Sequence, residues 1–158
     1  MTKTISDNLA AFLDMIAWSE GTSQIPDSDD GYKVIVTSTV REPKLISDYK
    51  DHPRKVQRLT GSLFSSAAGR YQILQRYWDH YRNLLHLFDF SPGNQDLVAI
   101  QQIKEMRALG DIEAGRFNEA VRKVRNIWAS LPGSGYGQPQ RTLEACREKY
   151  VEAGGEIV

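Results

Sequence analysis

The chain has almost no cysteine, no excess charge of either sign and no long apolar run. Its single cysteine, Cys146, excludes an internal disulfide and a cysteine-based zinc site. The 20 Lys and Arg residues balance the 20 Asp and Glu residues, so no net charge draws the chain to nucleic acid or to an anionic membrane. The longest apolar run covers residues 9–13, whereas a membrane-spanning helix needs about 18 such residues. We therefore expect no stable association with a membrane.

The composition is that of one ordinary globular domain spanning residues 1–158. Hydrophobic residues make up 41% and charged residues 25% of the chain, and a domain of this length folds without disulfides or metals. The first 20 residues place Asp14 among their apolar stretches and offer no small-residue cleavage site, so we expect no signal peptide. The chain contains no internal repeat, and we expect a monomer.

The charges are unevenly distributed along the chain. Residues 1–52 hold five basic and nine acidic residues, whereas residues 53–86 hold six basic and one acidic residue. A nucleic-acid site could use this basic segment, but several of its cations fall on the solvent face of a predicted helix. The six cations are Arg54, Lys55, Arg58, Arg70, Arg76 and Arg82. We expect no nucleic-acid partner.

Apolar periodicity predicts a helix over residues 6–19. Leu9, Phe12 and Ile16 recur at the spacing of one helix face, Ser6 supplies an N-cap, and Gly21 ends the helix. The β-branched and aromatic residues at 31–37 predict a strand, and residues 45–49 are its expected antiparallel partner. The β structure is therefore expected to be one small hairpin near the N-terminus.

From residue 65 onward the pattern is predicted to be helical. One face carries Tyr71 and Trp78, and the pair Ser91-Pro92 predicts the start of a further helix. An apolar stripe runs over residues 117–131, residues 131–139 form a loop, and a last helix passes through Cys146 to Gly154. Cys146 is on the apolar side of that helix and is interpreted as a buried free thiol. The fold class is thus α+β and mostly helical.

Glu20 is a candidate catalytic residue because of its position. It ends an apolar helix, follows Ser19 and Trp18, and precedes a polar loop. The negative end of the helix dipole and an aromatic neighbour both disfavour the charged carboxylate, which raises its pKa toward that of a general acid. The alternative is an exposed helix-terminal glutamate.

Three acids, Asp27, Asp29 and Asp30, follow on the next loop. A glycosidase needs a second carboxylate near its acid, as nucleophile or as base, and Asp29 is the candidate. The alternative is that all three are solvated turn residues, which Asp commonly is.

Aromatic and amide side chains in two glycine-containing segments fit the binding of a neutral sugar. These are Tyr71 and Gln72 after Gly69, and Tyr136 between two glycines. Either tyrosine could equally be a packing residue. His52 lies in an Asp-rich loop, but no second histidine stands at metal-ligand spacing, so we expect no metal and no cofactor.

Five segments, in order, resemble the family of lambda-type phage endolysins over nearly the whole chain. They are 17–22 (AWSEGT), 31–32 (GY) with 34–36 (VIV), 51–55 (DHPRK), 68–72 (AGRYQ), and 128–133 (WASLPG) with 135–138 (GYGQ). The resemblance implies a lysozyme-like fold, with a small β-containing lobe over about 22–62 and a helical lobe flanking a cleft. It implies that Glu20 is the catalytic acid, that Tyr136 contacts sugar, and that His52, Tyr71 and Gln72 line the cleft.

The resemblance further implies lytic transglycosylation. The enzyme would cut the β-1,4 bond between N-acetylmuramic acid and N-acetylglucosamine in peptidoglycan and leave a 1,6-anhydromuramyl product, causing host lysis. It would reside in the host cytoplasm and reach periplasmic peptidoglycan after a holin opens the membrane.

Two alternatives stay open at this point. One is a hydrolytic muramidase that uses Glu20 with Asp29, although Ile35 stands where hydrolytic phage lysozymes place a threonine after such an Asp. The other is a glycan-binding module that does not cut its ligand.

Overall fold

The computed structural model describes residues 5–135 and 139–158, which form six helices and one two-stranded sheet. In chain order the elements are α1 (Asp7–Ser19), β1 (Gln57–Thr60), β2 (Leu63–Ser65), α2 (Gln75–Leu85), α3 (Pro92–Glu105), α4 (Leu109–Glu113), α5 (Phe117–Val124) and α6 (Leu143–Glu152). Each helix in this part of the chain is too short or too polar to cross a membrane. The mostly helical α+β class predicted from the sequence is confirmed.

The described residues divide into two compact units. The first comprises the residues up to Glu20 together with Ala99–Val158, and the second comprises Gly21–Val98. The first unit holds α1, α4, α5, α6 and the end of α3, whereas the second holds the sheet, α2 and the start of α3. That the chain is one catalytic domain, with a lobe near 22–62, stays a prediction.

Helix α1 packs against α4 and α6 in the first unit. Phe12 is fully buried, and its ring meets Phe117 of α5 and Tyr150 of α6 edge to face, at centroid distances of 5.9 and 6.2 Å. The buried residues of α1 are Leu9, Ala11, Phe12, Leu13, Met15, Ile16, Ala17 and Ser19. A helix that is apolar on most of its faces belongs in the interior, so its packing fixes where its last residue lies.

Both ends of α1 follow the sequence signals. The hydroxyl of Ser6 accepts a hydrogen bond from the backbone N–H of Leu9 at 3.0 Å, which is an N-cap. Gly21 has φ +78°, the left-handed conformation that commonly ends a helix. The predicted helix over residues 6–19 is confirmed.

The later helices confirm the prediction in part. Helix α3 begins at Pro92, and α6 runs from Leu143 to Glu152 with the buried free thiol of Cys146 on its inner side. Helix α5 is shorter than the apolar stripe at 117–131, because turns follow Val124. The predicted helix after residue 65 is wrong up to α2. Ala68 and Ile73 form an isolated β-bridge there instead, and Gln72 between them has φ +51°.

The predicted strand over residues 31–37 is wrong, because consecutive residues pair with different partners. Val34 bridges Leu45, but Ile35 bridges Ala68, so the backbone forms two isolated bridges and no continuous ladder. Thr37 has φ +73°, which ends the extended conformation. The expected partner at 45–49 is therefore reduced to the single bridge at Leu45.

The sheet lies instead at β1 and β2, an antiparallel hairpin in which Gln57 pairs with Ser65 and Arg58 with Phe64. Its residues are half-buried or exposed on both faces, so no alternation of apolar and polar residues marks them. The predictive signal for a strand is a buried face, which this hairpin lacks.

A buried amide organises the second unit. Gln95 is fully buried, and its Nε2 donates to the carbonyls of Tyr32 and Phe90 at 3.1 and 2.9 Å. Its Oε1 accepts from the backbone N–H of Arg70 at 2.9 Å, so the amide joins three separate segments. A buried amide is costly to leave unpaired, so its hydrogen bonds hold these three segments at fixed distances from one another.

Substituting Gly69 with Ala is expected to destabilise the protein by about 3 kcal/mol. Gly69 has φ +83°, and a Cβ there would overlap Oε1 of Gln95 and the ring edge of Phe90. The matched control is Gly61→Ala in the hairpin turn, where φ is +51° but the space is open. That variant should lose about 1 kcal/mol from backbone strain alone. Urea unfolding measures both, and equal losses would contradict the steric argument.

Candidate active site

Glu20 is the C-cap residue of α1, and the packing of that helix determines its location. Its backbone N–H donates to the carbonyl of Ile16 at 2.9 Å, so its backbone still follows the helix. The residue is half-buried, and burial raises the pKa of its carboxyl to about 7, while a hydrogen bond from Ser130 acts in the opposite direction. A carboxyl with this pKa is partly protonated at neutral pH, as a general acid must be.

Ser130 links the Glu20 carboxyl to the body of the first unit. Its hydroxyl oxygen lies 2.8 Å from that of Ser19, the buried last residue of α1, and it also hydrogen-bonds to Glu20. Ser130 lies between Trp128 and Leu131, whose side chains are both buried and anchor this segment. Glu20 is thus held at its backbone by α1 and at its carboxyl by the anchored Ser130.

Arg141 supplies the positive charge that the last turn of α1 lacks. Its guanidinium lies 4.6 Å from the ring centroid of Trp18, and its Nε and Nη2 donate to the carbonyls of Ser19 and Trp18, each at 3.4 Å. Lys149 of α6 lies 5.6 Å from the same ring. Cations at a helix C-terminus stabilise its negative end, so the helix can end on an acid.

No local sequence feature marked Ser130 or Arg141 as a site residue, although Ser130 lies in the segment 128–133 that carries the family resemblance. Ser130 and Ser19 are 111 residues apart in the chain, and Arg141 and Ser19 are 122 apart, so no local spacing connects them. Glu20, by contrast, was marked by a local feature, its place at the end of an apolar helix.

The acids on the loop after α1 have partners within the second unit. The carboxylate of Asp29 accepts the hydroxyl of Tyr49 at 2.5 Å, and this contact, with burial as the larger cause, raises the pKa of Tyr49. Asp30 pairs with the buried guanidinium of Arg70 at 3.3 Å. Asp27 is exposed. All three acids have positive φ, so this loop is tightly turned.

His52 is buried, and both of its ring nitrogens are used within the protein. Its Nδ1 accepts from the backbone N–H of Arg54 at 3.0 Å, and its Nε2 lies 2.9 Å from the carbonyl of Ile73. Burial lowers the pKa of His52, and the neutral ring with the proton on Nε2 satisfies both contacts. Its place in the wall of a sugar site stays a prediction.

Tyr71 and Gln72 lie next to Ile73 in the same segment. Tyr71 is buried, donates its hydroxyl proton to Asp96 at 2.7 Å and accepts from Arg70 at 3.0 Å. Gln72 is half-buried, and its Nε2 donates to the carbonyl of Gly69 at 2.9 Å. The structure therefore brings His52, Tyr71 and Gln72 to one segment of the second unit. Tyr136 lies outside the described residues.

No group of three or more His, Cys, Asp or Glu side chains is placed to hold a metal ion within residues 5–135 and 139–158. The carboxyl of Glu20 has a hydrogen bond from the hydroxyl of Ser130, which stabilises its charged form.

Solved structures of bacteriophage lambda lysozyme are similar to this chain. One, complexed with a chitohexasaccharide, has a TM-score of 0.92 and 48% identity, with 99% of this chain and 100% of that chain covered. A second structure of lysozyme from bacteriophage lambda has a TM-score of 0.89 and 46% identity, with 99% and 100% covered. The fold is thus that of a lysozyme-like protein.

Curated relatives identify the family. The chain is 49% identical to the endolysin of Escherichia phage lambda over 155 residues, covering 97% of this chain and 95% of the relative. It is 50% identical to the endolysin of Escherichia phage P2 over 155 residues, covering 94% and 93%. The family model "Endolysin" matches residues 10–157. The chain belongs to the endolysin family.

Replacing Glu20 with Gln is expected to stabilise the protein above pH 7. The pKa of Glu20 is about 7 in the folded chain against 4.5 for an ordinary glutamate, so the folded state holds the proton more tightly. Between pH 4.5 and about pH 7 the Glu20 carboxyl ionises in the unfolded chain but stays protonated in the folded chain, so the stability of the wild type falls as pH rises. The cost of burying the charged carboxylate reaches its full value, up to about 3 kcal/mol, once both states are ionised, and it is absent below both pKa values.

Urea unfolding at about pH 4 and about pH 8 measures the difference in stability between Glu20→Gln and the wild type. The control is Glu148→Gln on the exposed side of α6, which makes the same change in charge at the surface. It should alter stability by less than about 0.5 kcal/mol at either pH. A Glu20→Gln variant that is no more stable than the wild type at the higher pH would contradict the burial of this carboxyl.

Proposed function

We propose that this endolysin cleaves the β-1,4 bond between N-acetylmuramic acid and N-acetylglucosamine in peptidoglycan by lytic transglycosylation. The observation that carries the proposal is the single carboxyl of Glu20, whose burial raises its pKa to about 7 at the end of α1. The glycan in the lambda lysozyme complex supports a glycan substrate for this chain. The product is a 1,6-anhydromuramyl end, and repeated cleavage lyses the host cell.

The reaction needs one acid and no water. Protonated Glu20 gives its proton to the glycosidic oxygen while the bond from the anomeric carbon to that oxygen breaks. The 6-hydroxyl of the same muramic acid attacks the anomeric carbon, and a new carbon–oxygen bond closes the anhydro ring. The hydroxyl proton passes to the Glu20 carboxylate, which restores the acid. An intramolecular nucleophile has an effective molarity of about 10⁵–10⁸ M, so it competes well with water.

The surroundings of Glu20 favour this cycle. Burial keeps the carboxyl neutral before the reaction, and the hydrogen bond from Ser130 stabilises the carboxylate that forms when the proton leaves. The two effects act on opposite protonation states, and the resulting pKa near neutrality lets one group serve as acid and then as base.

In this proposal the sugar is also held by Tyr136, with His52, Tyr71 and Gln72 in the wall of the site. The enzyme acts as a monomer on glycan strands, without cofactor or stable membrane association. It accumulates in the host cytoplasm and depends on a holin to reach the periplasmic peptidoglycan.

Mass spectrometry of digested peptidoglycan tests the mechanism. Transglycosylation gives muropeptides lighter by one water than the hydrolytic products, because no water is added. Reducing-end muramic acid would show hydrolysis and overturn the transglycosylase assignment. The Glu20→Gln variant should fold and yet release no products, since an amide has no proton of suitable acidity. Permeabilised Gram-negative cells that stay turbid with the wild-type enzyme would instead indicate a glycan-binding module.

Substituting Asp29 with Asn separates the two catalytic routes. Because transglycosylation requires no second carboxylate, this variant should keep activity within about tenfold of the wild type. A loss as large as that of Glu20→Gln would identify Asp29 as the base of a hydrolytic reaction. Asp30→Asn is the control for loosening of the same loop, since Asp30 pairs with Arg70.

A further inference from the structure

The side chains of Ser19, Ser130 and Glu20 are connected in a row by hydrogen bonds between their oxygen atoms. The hydroxyl oxygens of Ser19 and Ser130 are 2.8 Å apart, and Ser130 hydrogen-bonds to Glu20. Ser19, Ser130 and Glu20 together form a hydroxyl chain. It runs outward from the interior, because Ser19 is buried whereas Ser130 and Glu20 are half-buried.

The protons of the hydroxyl chain have one direction when Glu20 is ionised. A carboxylate only accepts hydrogen bonds, so Ser130 must donate its single proton to Glu20. The oxygen of Ser130 is then available as an acceptor, and Ser19 donates to it. The reverse direction would leave the proton of Ser19 without this acceptor and the carboxylate without its donor, both costly in a buried site.

Arg141 fixes the backbone on both sides of the hydroxyl chain. Its backbone N–H donates to the carbonyl of Ser130 at 2.8 Å, and its guanidinium donates to the carbonyl of Ser19 at 3.4 Å. The backbone segments that carry Ser19 and Ser130 are therefore joined by one residue. Arg141 itself contacts backbone oxygens and the Trp18 ring.

The pKa of Glu20 is raised by burial and lowered in part by the hydrogen bond from Ser130, and the other titratable groups around α1 are engaged elsewhere. From α6, Lys149 contacts the ring of Trp18, and the thiol of Cys146 has a pKa raised to about 11 by burial, so it stays neutral. Burial also raises the pKa of Tyr150. From α4, Glu113 accepts the hydroxyl of Ser6 at the opposite end of α1.

We propose that Ser130 is a positioning residue for Glu20: its hydroxyl, directed by Ser19, holds one carboxyl oxygen and leaves the other to carry the proton given to the glycosidic oxygen. This inference rests on the proposed role of Glu20 as the acid. When the proton leaves, Ser130 already donates to the carboxylate, so no side chain has to reorganise as the charge forms.

The test compares Ser130→Ala, Ser130→Thr and Ser19→Ala with the wild type. Removing the hydroxyl of Ser130 should raise the pKa of Glu20 by about one unit and lower kcat by about tenfold to a hundredfold, as expected for one hydrogen bond to a charged group. KM should change by less than about twofold, because a positioning residue acts through Glu20 and makes no contact with the substrate. Ser130→Thr keeps the hydroxyl and should restore both values, and Ser19→Ala should shift both in the same direction by less.

Two readouts separate positioning from simple loosening of the fold. Carbon-13 NMR titration of the Glu20 carboxyl reports its pKa without substrate, and the pH profile of kcat reports it during turnover. Ser134→Ala is the matched control, because Ser134 is a buried hydroxyl in the same segment that donates to the carbonyl of Ala129. It should leave the pKa of Glu20 unchanged.

An unchanged Glu20 pKa and kcat in Ser130→Ala would overturn the inference, as would an equal shift in Ser134→Ala. An effect of Ser130→Ala without any effect of Ser19→Ala would overturn the direction assigned to the hydroxyl chain. The proposed function fails separately, if Glu20→Gln releases products. If Glu20→Gln is inactive while Ser130→Ala has the kcat and the Glu20 pKa of the wild type, the positioning role is refuted and the proposed function stands.

Discussion

The site depends on the burial of one carboxyl at the end of an apolar helix. Keeping Glu20 out of water raises its pKa to about 7 and makes its charged form unfavourable in the folded chain. This cost must be offset elsewhere, and α1 offsets it by burying Phe12, Ile16 and the other apolar residues of its length. The helix that stabilises the first unit is therefore the one that holds the acid, so the backbone of Glu20 cannot move without loss of core packing.

The partners of the acid come from the segment between α5 and α6. Trp128 and Leu131 are fully buried there, and they fix the backbone on either side of Ser130. Further along, Arg141 binds the carbonyls at the end of α1. A segment with little regular structure thus has a defined geometry because buried side chains and backbone hydrogen bonds anchor it. Such supported segments can carry functional groups with the accuracy that catalysis requires.

Sequence reasoning succeeded where the signal was local. Ser6 and Pro92 mark the starts of α1 and α3 because capping and a fixed φ act within one turn of helix. The hairpin of β1 and β2 was missed because neither of its faces is buried. The strand predicted at 31–37 was wrong because Val34 and the next residue, Ile35, bridge to different segments. Glu20 was predicted to be a catalytic residue from its place at a helix end, and that role stays a prediction. Its contact with Ser130 could not be predicted, since pairings between distant segments exist only in the folded chain.

The contacts of the acids in the second unit support the proposed single-carboxylate route. Arg54 pairs with Asp51 and Asp79, and these contacts lower the pKa of both carboxyls, although for Asp51 burial acts against them. Asp30 pairs with Arg70, and Asp29 accepts from Tyr49. A carboxylate that accepts hydrogen bonds from protein donors is a weaker base toward water, whereas in the proposed reaction the 6-hydroxyl of muramic acid needs only the carboxylate that has just lost its proton. Chemistry that recycles one acid therefore fits an arrangement in which these other acids already stabilise the fold.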